Sequence, residues 1–400
     1  MSDDVNAEVG DDVNAEAGAD VSVAADAIGP AAANASAAPA IEPSLAALRD
    51  QVLAAIESRT PLCIRGGGTK DFLGQLPTGT VLDTRGHAGV IDYEPTELVI
   101  TARCGTPLAE IETLLAAHGQ RLAFEPPHFD PGATLGGCIA AGLAGPGRQG
   151  AGGVRDYVLG ATLLDGKGEV LEFGGQVMKN VAGYDVARLL AGSLGILGVI
   201  LSVSVKVLPR PAATCTLRFA MNEAEALRCM NQPGALPVEA SAWHDEVLTL
   251  RLAGARAAVD AARQKLGGDV LDEAEAQAFW TSLREQTHPF FADDVPHALQ
   301  APLWRIAVAP TTPAIDLDGP QLIEWQGGQR WLRGARDAGE LRATVGKAGH
   351  VQLFRAAEAL RKDTPVSAPL PPAALRIQRA LKAGFDPAGI FNPGRLYADL

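Results

Sequence analysis

From residue 43 onward the chain switches repeatedly between two hydrophobic periods, and the switches outline a mixed fold. Leu45, Leu48, Val52, Ala55 and Ile56 recur at helical spacing and predict a first helix. Pro61 to Ile64 reads as a short strand that runs straight into Arg65-Gly-Gly-Gly-Thr-Lys70. Further short strands are predicted over 80–83, 90–93 and 98–103. Thr106 and Pro107 read as the N-cap and first position of a helix whose apolar face is Leu108, Ile111, Leu114 and Leu115. Residues 126–137 hold too much Pro and Gly for regular structure and read as a loop. Strands over 158–164 and 169–173 share a Gly turn, and a helix around 186–190 leads to a strand over 200–208 that Pro209 and Pro211 end. From residue 212 the texture changes to Ala/Arg/Glu-rich helical segments between isolated strands such as 247–252 and 304–308, which reads as a second domain. A helix from Leu375 to Leu381 and a turn-rich tail follow.

Composition narrows the class. With 400 residues, 47% of them hydrophobic, and 44 glycines, the chain reads as a soluble, loop-rich protein of two or three domains. The formal charge of −13 is concentrated at one end: residues 1–42 carry nine of the 47 acidic groups and no Lys or Arg, so the remainder sets 38 acids against 34 bases. No basic stripe with interleaved aromatics is present, which argues against nucleic acid as a partner. Residues 1–43 repeat Asp-Asp-Val-Asn-Ala-Glu and then turn Ala-rich without aromatics, so a disordered acidic extension is expected there. This stretch lacks the features of a secretory signal. The longest uncharged run, Leu189 to Val205, contains three glycines and three serines and is too short for a spanning helix. A cytoplasmic protein is expected. Cys63, Cys104, Cys138, Cys215 and Cys229 are scattered without a C-x-x-C, which argues against a metal or iron–sulfur site in this chain. Redox chemistry would need an organic cofactor.

The glycine run at 66–68 offers one. Without Cβ atoms, consecutive amides can turn toward a single anion, and Arg65 and Lys70 add positive charge on either side, an arrangement suited to a pyrophosphate. The run is neither a Walker motif nor G-x-G-x-x-G opening a helix. Gly145-Pro-Gly147-Arg-Gln-Gly150 satisfies the latter spacing, but no strand pattern precedes it, and it is read as coincidental. The alternative for 65–70 is a glycine hairpin without a ligand.

Six separated blocks carry a resemblance: residues 65–74, 93–103, Glu125-Pro-Pro-His128, 154–160, Val177-Met-Lys-Asn-Val-Ala-Gly-Tyr-Asp185 and Phe391-Asn-Pro-Gly-Arg395. Over residues 44–400 the chain resembles flavoproteins of the vanillyl-alcohol oxidase and p-cresol methylhydroxylase (PCMH) type, most closely the FAD-binding subunits of bacterial glycolate oxidase. The resemblance implies an α+β fold: a PCMH-type FAD-binding domain of two subdomains over 44–211, a cap over 212–374, and a segment over 375–400 returning to the FAD domain. It implies that Arg65, Gly66, Gly67, Gly68, Thr69 and Lys70 hold the FAD pyrophosphate. Gly132, Ala133, Thr134, Leu135, Gly136, Gly137, Ala140, Ala141 and Gly142 would line the rest of the cofactor, and backbone near Val199 would meet it. Many relatives bind the flavin covalently through a His or Cys, but the first loop has neither, so non-covalent FAD is expected.

Lys179 and Arg395 are candidates for stabilising the reduced flavin, with a salt bridge or a loop-fixing hydrogen bond as the alternative. His128 is a candidate base, with a backbone hydrogen bond as its alternative. Asp156 and Asp185 read as structural partners. Relatives that oxidise D-2-hydroxy acids directly carry a clustered His pair with an acid in the cap, whereas Trp243, His244, Trp280, His288 and His297 here show no metal spacing. The resemblance therefore implies an electron-transferring FAD subunit that docks with a catalytic flavoprotein subunit and an iron–sulfur subunit to oxidise glycolate, at the inner membrane face if the partners bring it there. A self-sufficient oxidoreductase of a small 2-hydroxy acid such as D-lactate and a non-catalytic flavin scaffold are the alternatives.

Overall fold

Pro43 opens a helix (α1, Pro43–Ser58) that buries Leu48, Val52 and Ala55, the face its spacing predicts. The computed structural model describes residues 42–175, 185–232, 236–292 and 301–400, and residues 42–400 form one compact unit. The acidic extension up to residue 41 and the block 176–184 that includes Lys179 lie outside the described residues, as does His297.

The described fold is α+β. Strand β1 (Leu62–Arg65) pairs in parallel with β2 (Thr80–Asp83). An antiparallel five-stranded sheet is built from β3 (Val90–Glu94), β4 (Val99–Arg103), β6 (Val158–Leu164), β7 (Val170–Gly174) and β8 (Val199–Lys206), in the order β3-β4-β8-β6-β7. A short pair, β5 (Gln120–Arg121) and β9 (Leu208–Pro209), completes this half. Central β8 is apolar on both sides for a structural reason. Ile200, Val203 and Val205 face a core shared with Leu108, Ile111, Leu115, Leu135 and Ile139, while Val199 and Leu201 face a second core shared with α1, Leu62, Leu82 and Phe391. Burial on both faces makes Val199, Ile200 and Leu201 a continuous apolar run, and alternation returns only at Ser202, Ser204 and Lys206.

Residues 213–355 supply the second sheet: β10 (Ala213–Ala220), β11 (Val238–His244), β12 (Val247–Gly254), β13 (Asp269–Val270), β14 (Leu303–Val308), β15 (Gln321–Glu324), β16 (Gln329–Arg333) and β17 (Gly349–Arg355). They form eight antiparallel strands in the order β13-β10-β12-β11-β15-β16-β14-β17. Ala242, Leu322, Leu303 and Trp331 on one face pack with Trp280, Leu283 and residues of the first half, including Leu73 and Leu143. Their neighbours Trp304 and Leu332 on one side, and Trp243 and Ile323 on the other, pack into separate clusters. The strands 247–252 and 304–308, which read as isolated, are thus members of one sheet.

Two local readings need correction. The helix α2 (Leu108–Ala117) takes Pro107 as its N-cap without a side-chain cap bond, because the Thr106 hydroxyl is engaged by the Gly89 amide at 2.9 Å. The stretch read as loop through residue 137 becomes helical at Leu135: α3 (Leu135–Ala141) is capped by Thr134, whose hydroxyl accepts from Gly137 N at 3.3 Å. Two glycines are tolerated there because the helix runs against the chain at Cys104. A Cβ on Gly136 would stand 2.6 Å from the Cys104 Cβ.

Four charged side chains connect the halves. Arg251 of β12 donates to Glu125 at 2.7 Å and lies 2.8 Å from Glu239, which also pairs with Arg121, while Glu125 accepts from Gly147 N at 2.6 Å. Burial works against the Arg251 charge, and the two glutamates more than restore it, so its pKa stands above the ordinary value. The segment with G-x-G-x-x-G spacing lies in this contact: Cβ atoms on Gly145 and Gly147 would collide with Glu125, and one on Gly150 would press on Glu239. Its glycines serve close packing between the halves.

Candidate functional site

β1 is held on both sides, by β2 and by the C-terminal tail. Leu62 N donates to Ile390 O at 2.7 Å, Asn392 N to Leu62 O at 2.9 Å, and the Asn392 side chain accepts from Ile64 N at 2.8 Å. The chain leaves this fixed strand into Gly66-Gly67-Gly68. A Cβ on Gly66 would lie 2.3 Å from the Thr134 hydroxyl, one on Gly67 would lie 1.7 Å from Gly132 O, and Gly68 has φ +73°. The two glycine-rich loops therefore touch backbone to backbone, which side chains would prevent. Among the described residues, none of the amide N–H groups from Gly66 to Lys70 meets a hydrogen-bond acceptor. Five successive unpaired donors beside two cations fit a pyrophosphate.

A cleft of about 760 Å³, counting the part open to solvent, lies over this loop. Arg65, Gly66, Gly67, Gly68, Thr69 and Lys70 form one wall; Thr134, Gly136, Gly137, Ala140 and Ala141 of the α3 turn form another. The structure thus brings eleven of the expected cofactor residues together. Gly132 touches Gly67 from behind, Ala133 and Leu135 are buried in the core, Gly142 ends α3 with φ +64°, and the Val199 side chain points into the core beside α1. None of these five lines the cleft. In place of Val199, its neighbours Gly198 and Ile200 do, together with Leu194, Gly195, Cys104 and Asn392. The glycine run 192–198 was a visible signal for part of this wall. Nothing local pointed to Cys104, which the topology delivers.

Cations outnumber paired anions here. Arg65 pairs with Asp71 at 2.7 Å, and that hydrogen bond holds its pKa above the ordinary value. Lys70 Nζ reaches only the Thr69 hydroxyl and His128 O, at 3.2 and 3.4 Å, with no carboxylate within 4.0 Å among the described residues, and burial pushes its pKa down. Arg395 also lines the cleft, yet it donates to the carbonyls of Asp71, at 3.0 Å, and Gln75. Burial, with Arg361 adding its repulsion, lowers Arg395 to about 10. These contacts are of the loop-fixing kind. A phosphate-bearing ligand would balance the excess charge. Burial pushes the thiols of Cys104 and Cys138 up to about 12, so neither is poised as a thiolate.

His128 stands outside the cleft lining. Its Nε2 is 3.1 Å from Glu112, and its amide donates to Glu285 at 3.0 Å, as that of Phe129 does at 2.8 Å. Asp156 accepts from Gly153 N at 2.8 Å, and Asp185 caps and pairs with Arg188, both local structural contacts. Two histidines far apart in sequence meet: the ring of His244 in β11 lies 5.6 Å from that of His288, in the chain beyond Leu283. Among the described residues no group of three His, Cys, Asp or Glu is placed to hold a metal ion, and no helix is long and apolar enough to cross a membrane.

Comparison with known proteins agrees with this geometry. The sequence model of a family described as "FAD binding domain" matches residues 42–174. Glycolate oxidase subunit GlcE of Escherichia coli is 46% identical over 348 residues, which span 86% of this chain and 95% of that protein. Glycolate oxidase subunit GlcD of Bacillus subtilis is 34% identical over 40% of this chain and 34% of its own length. A D-lactate dehydrogenase of Archaeoglobus fulgidus is 33% identical over 44% of this chain and 39% of its own length. Among solved structures, alkyldihydroxyacetonephosphate synthase superposes with a TM-score of 0.59 at 15% identity, covering 86% of this chain and 75% of that one, a likeness of fold.

Proposed function

The chain belongs to the family of FAD-binding subunits of bacterial glycolate oxidase and takes FAD as its cofactor, and from that premise we propose that it serves a glycolate oxidase complex by passing through its flavin the electrons released when glycolate becomes glyoxylate. The observation that carries this reading is the 46% identity to GlcE over 95% of that protein, joined to a cleft whose unpaired amides fit a pyrophosphate.

The amides of Gly66 to Lys70, with the charges of Arg65 and Lys70, would hold the pyrophosphate; Thr134, Gly136, Gly137, Ala140 and Ala141 would face the remainder of the cofactor. When bound, FAD supplies the two-electron acceptance that no side chain here can provide. The chain contributes position and environment. Glycines admit the cofactor close to backbone, Leu194 and Ile200 supply apolar wall, and Arg395 and Asn392 tie the tail to the chain at Asp71 and Leu194. Dissociable FAD belongs to the proposal, because the glycine loop 65–70 carries neither His nor Cys. Docking with a catalytic flavoprotein subunit and an iron–sulfur subunit belongs to the same proposal, as does peripheral placement at a membrane through those partners.

A self-sufficient enzyme for a small 2-hydroxy acid is the second reading, favoured by the similarity of part of the chain to D-lactate dehydrogenases. Anaerobic mixing of the FAD-loaded chain with glycolate or D-lactate separates the two. Loss of the oxidised-flavin absorbance only after the partner flavoprotein subunit is added is the expected result; bleaching by the chain alone would overturn the relay and establish the second reading.

A further inference from the structure

A cavity of about 230 Å³ lies against the second sheet, lined by none of the residues that line the cofactor cleft. Strand register makes its floor: Arg218 of β10, Thr249 and Val247 of β12, Ala242 and His244 of β11 and Leu322 of β15 are cross-strand neighbours on one face. The helix Glu273–Arg284 packs Trp280 and Leu283 over part of this face, while Ala242 and Thr249 are too small to fill the space left between the strands and the rings of Phe279 and His288. We propose that this cavity binds an uncharged planar ring with an imide edge, O=C–NH–C=O, of the kind a pyrimidine dione carries, held by His244, His288 and Thr249.

The backbone fixes what each imidazole offers. His244 Nδ1 lies 2.8 Å from Gln321 O, which can only accept, so Nδ1 carries the hydrogen and Nε2 of the neutral ring is an acceptor. His288 Nδ1 accepts from Phe290 N at 3.2 Å, so the hydrogen of its neutral ring sits on Nε2, a donor. Burial, with His244 adding to it, lowers His288 to about 4, which keeps this ring neutral at physiological pH. Among the described residues neither Nε2 has a protein partner, and both stay accessible. The Thr249 hydroxyl, on a residue only 2% exposed, likewise has no partner there and can donate. Two donors and one acceptor are the complement of an imide edge. A metal ion is not the occupant these groups suit, since no third His, Cys, Asp or Glu among the described residues joins the two imidazoles as a ligand.

Size and walls define the rest of the ligand. A cavity of about 150 Å³ accommodates benzene, so this one admits a six-membered ring with its oxygens. The His288 ring stands edge to face with Phe279 at 5.7 Å and with His244 at 5.6 Å, and these rings offer flat apolar surface to a planar ligand. Charge argues against an anion. The Asp245 carboxylate lines the cavity with no partner among the described residues, and Arg218 is already paired with Glu275 at 2.9 Å. A carboxylate or phosphate entering here would meet negative charge without a free cation to offset it.

The test is calorimetric titration of the full FAD-loaded chain with three probes: uracil; 3-methyluracil, which carries a methyl where the imide hydrogen stood; and uridine monophosphate, an anionic source of the same ring. Saturable binding of uracil is expected, with 3-methyluracil and uridine monophosphate each weaker by roughly tenfold or more. Thr249→Val keeps the shape of the floor and removes its hydroxyl, and His288→Phe keeps a ring and removes the donor; each is expected to weaken uracil binding by roughly fivefold or more. Melting temperature and flavin content are read on every variant, and the comparison of uracil with 3-methyluracil decides the matter on the parent chain even where a variant fails to fold. Absence of uracil binding, 3-methyluracil or uridine monophosphate binding as tightly as uracil, or unchanged binding by both folded variants overturns the inference. None of these results bears on the FAD reading, which concerns a different set of residues.

Discussion

Gly67 has the least room of any residue in the cleft, because a methyl group there would occupy the space of Gly132 O. Gly67→Ala is therefore expected to separate the two loops and abolish FAD retention; flavin absorbance after gel filtration checks it. Titrating residues give a second prediction. Glu324 has a folded-state pKa of about 7 against an ordinary 4.5, so the fold prefers its protonated form, and stability declines as pH rises from about 4.5 through 7, by on the order of 3 kcal/mol. His288 works in the opposite direction. Burial, with His244 adding to it, lowers His288 to about 4 from 6.5, so the fold prefers its neutral form and loses stability as pH falls through that window. Urea unfolding across pH should show Glu324→Gln flattening the limb up to pH 7 and leaving the acid limb of His288 in place.

Among the elements, β1 depends most on a remote partner. Asn392→Ala would leave Ile64 N–H and Leu194 O without their side-chain partners, bonds of 2.8 and 2.6 Å, at about 1–3 kcal/mol. A lower unfolding midpoint together with faster FAD loss is expected, since Ile64 and Asn392 both line the cleft. This contact also marks the limit of what the sequence could disclose. The β1 strand, its glycine nest and α1 were legible because each is encoded within some fifteen consecutive residues. The start of α3 was obscured by Gly136 and Gly137, whose purpose is close approach to Cys104 and Thr134, although Thr134 followed by Leu, Ile and two Ala carried a capping signal. Thr106 misled because its hydroxyl serves Gly89. The convergence of Arg305, Glu324 and Gln329 depends on pairing among β14, β15 and β16, and the His244–His288 contact on where the chain beyond Leu283 meets β11; no local pattern reveals either.

For the whole molecule, the Arg251 network is one of the polar connections between the two sheets' surroundings, beside contacts such as Trp325 Nε1 to Gly145 O at 3.1 Å. Arg251→Met would leave the buried Glu125 and Glu239 sharing Arg121 alone, a loss of about 3 kcal/mol. Adding Glu125→Gln and Glu239→Gln to the same protein should recover most of it, read by thermal melting of both variants. The wall of the cofactor cleft is assembled from residues near 65 and residues near 392, more than three hundred positions apart in the sequence. A ribosome therefore exposes the glycine nest long before it delivers the segment that braces β1, and a growing chain meets FAD with its site half built. Cofactor capture becomes a late event in biosynthesis, one that reports whether translation has carried past Arg395, and a prematurely stopped chain would stay colourless even with its nest intact.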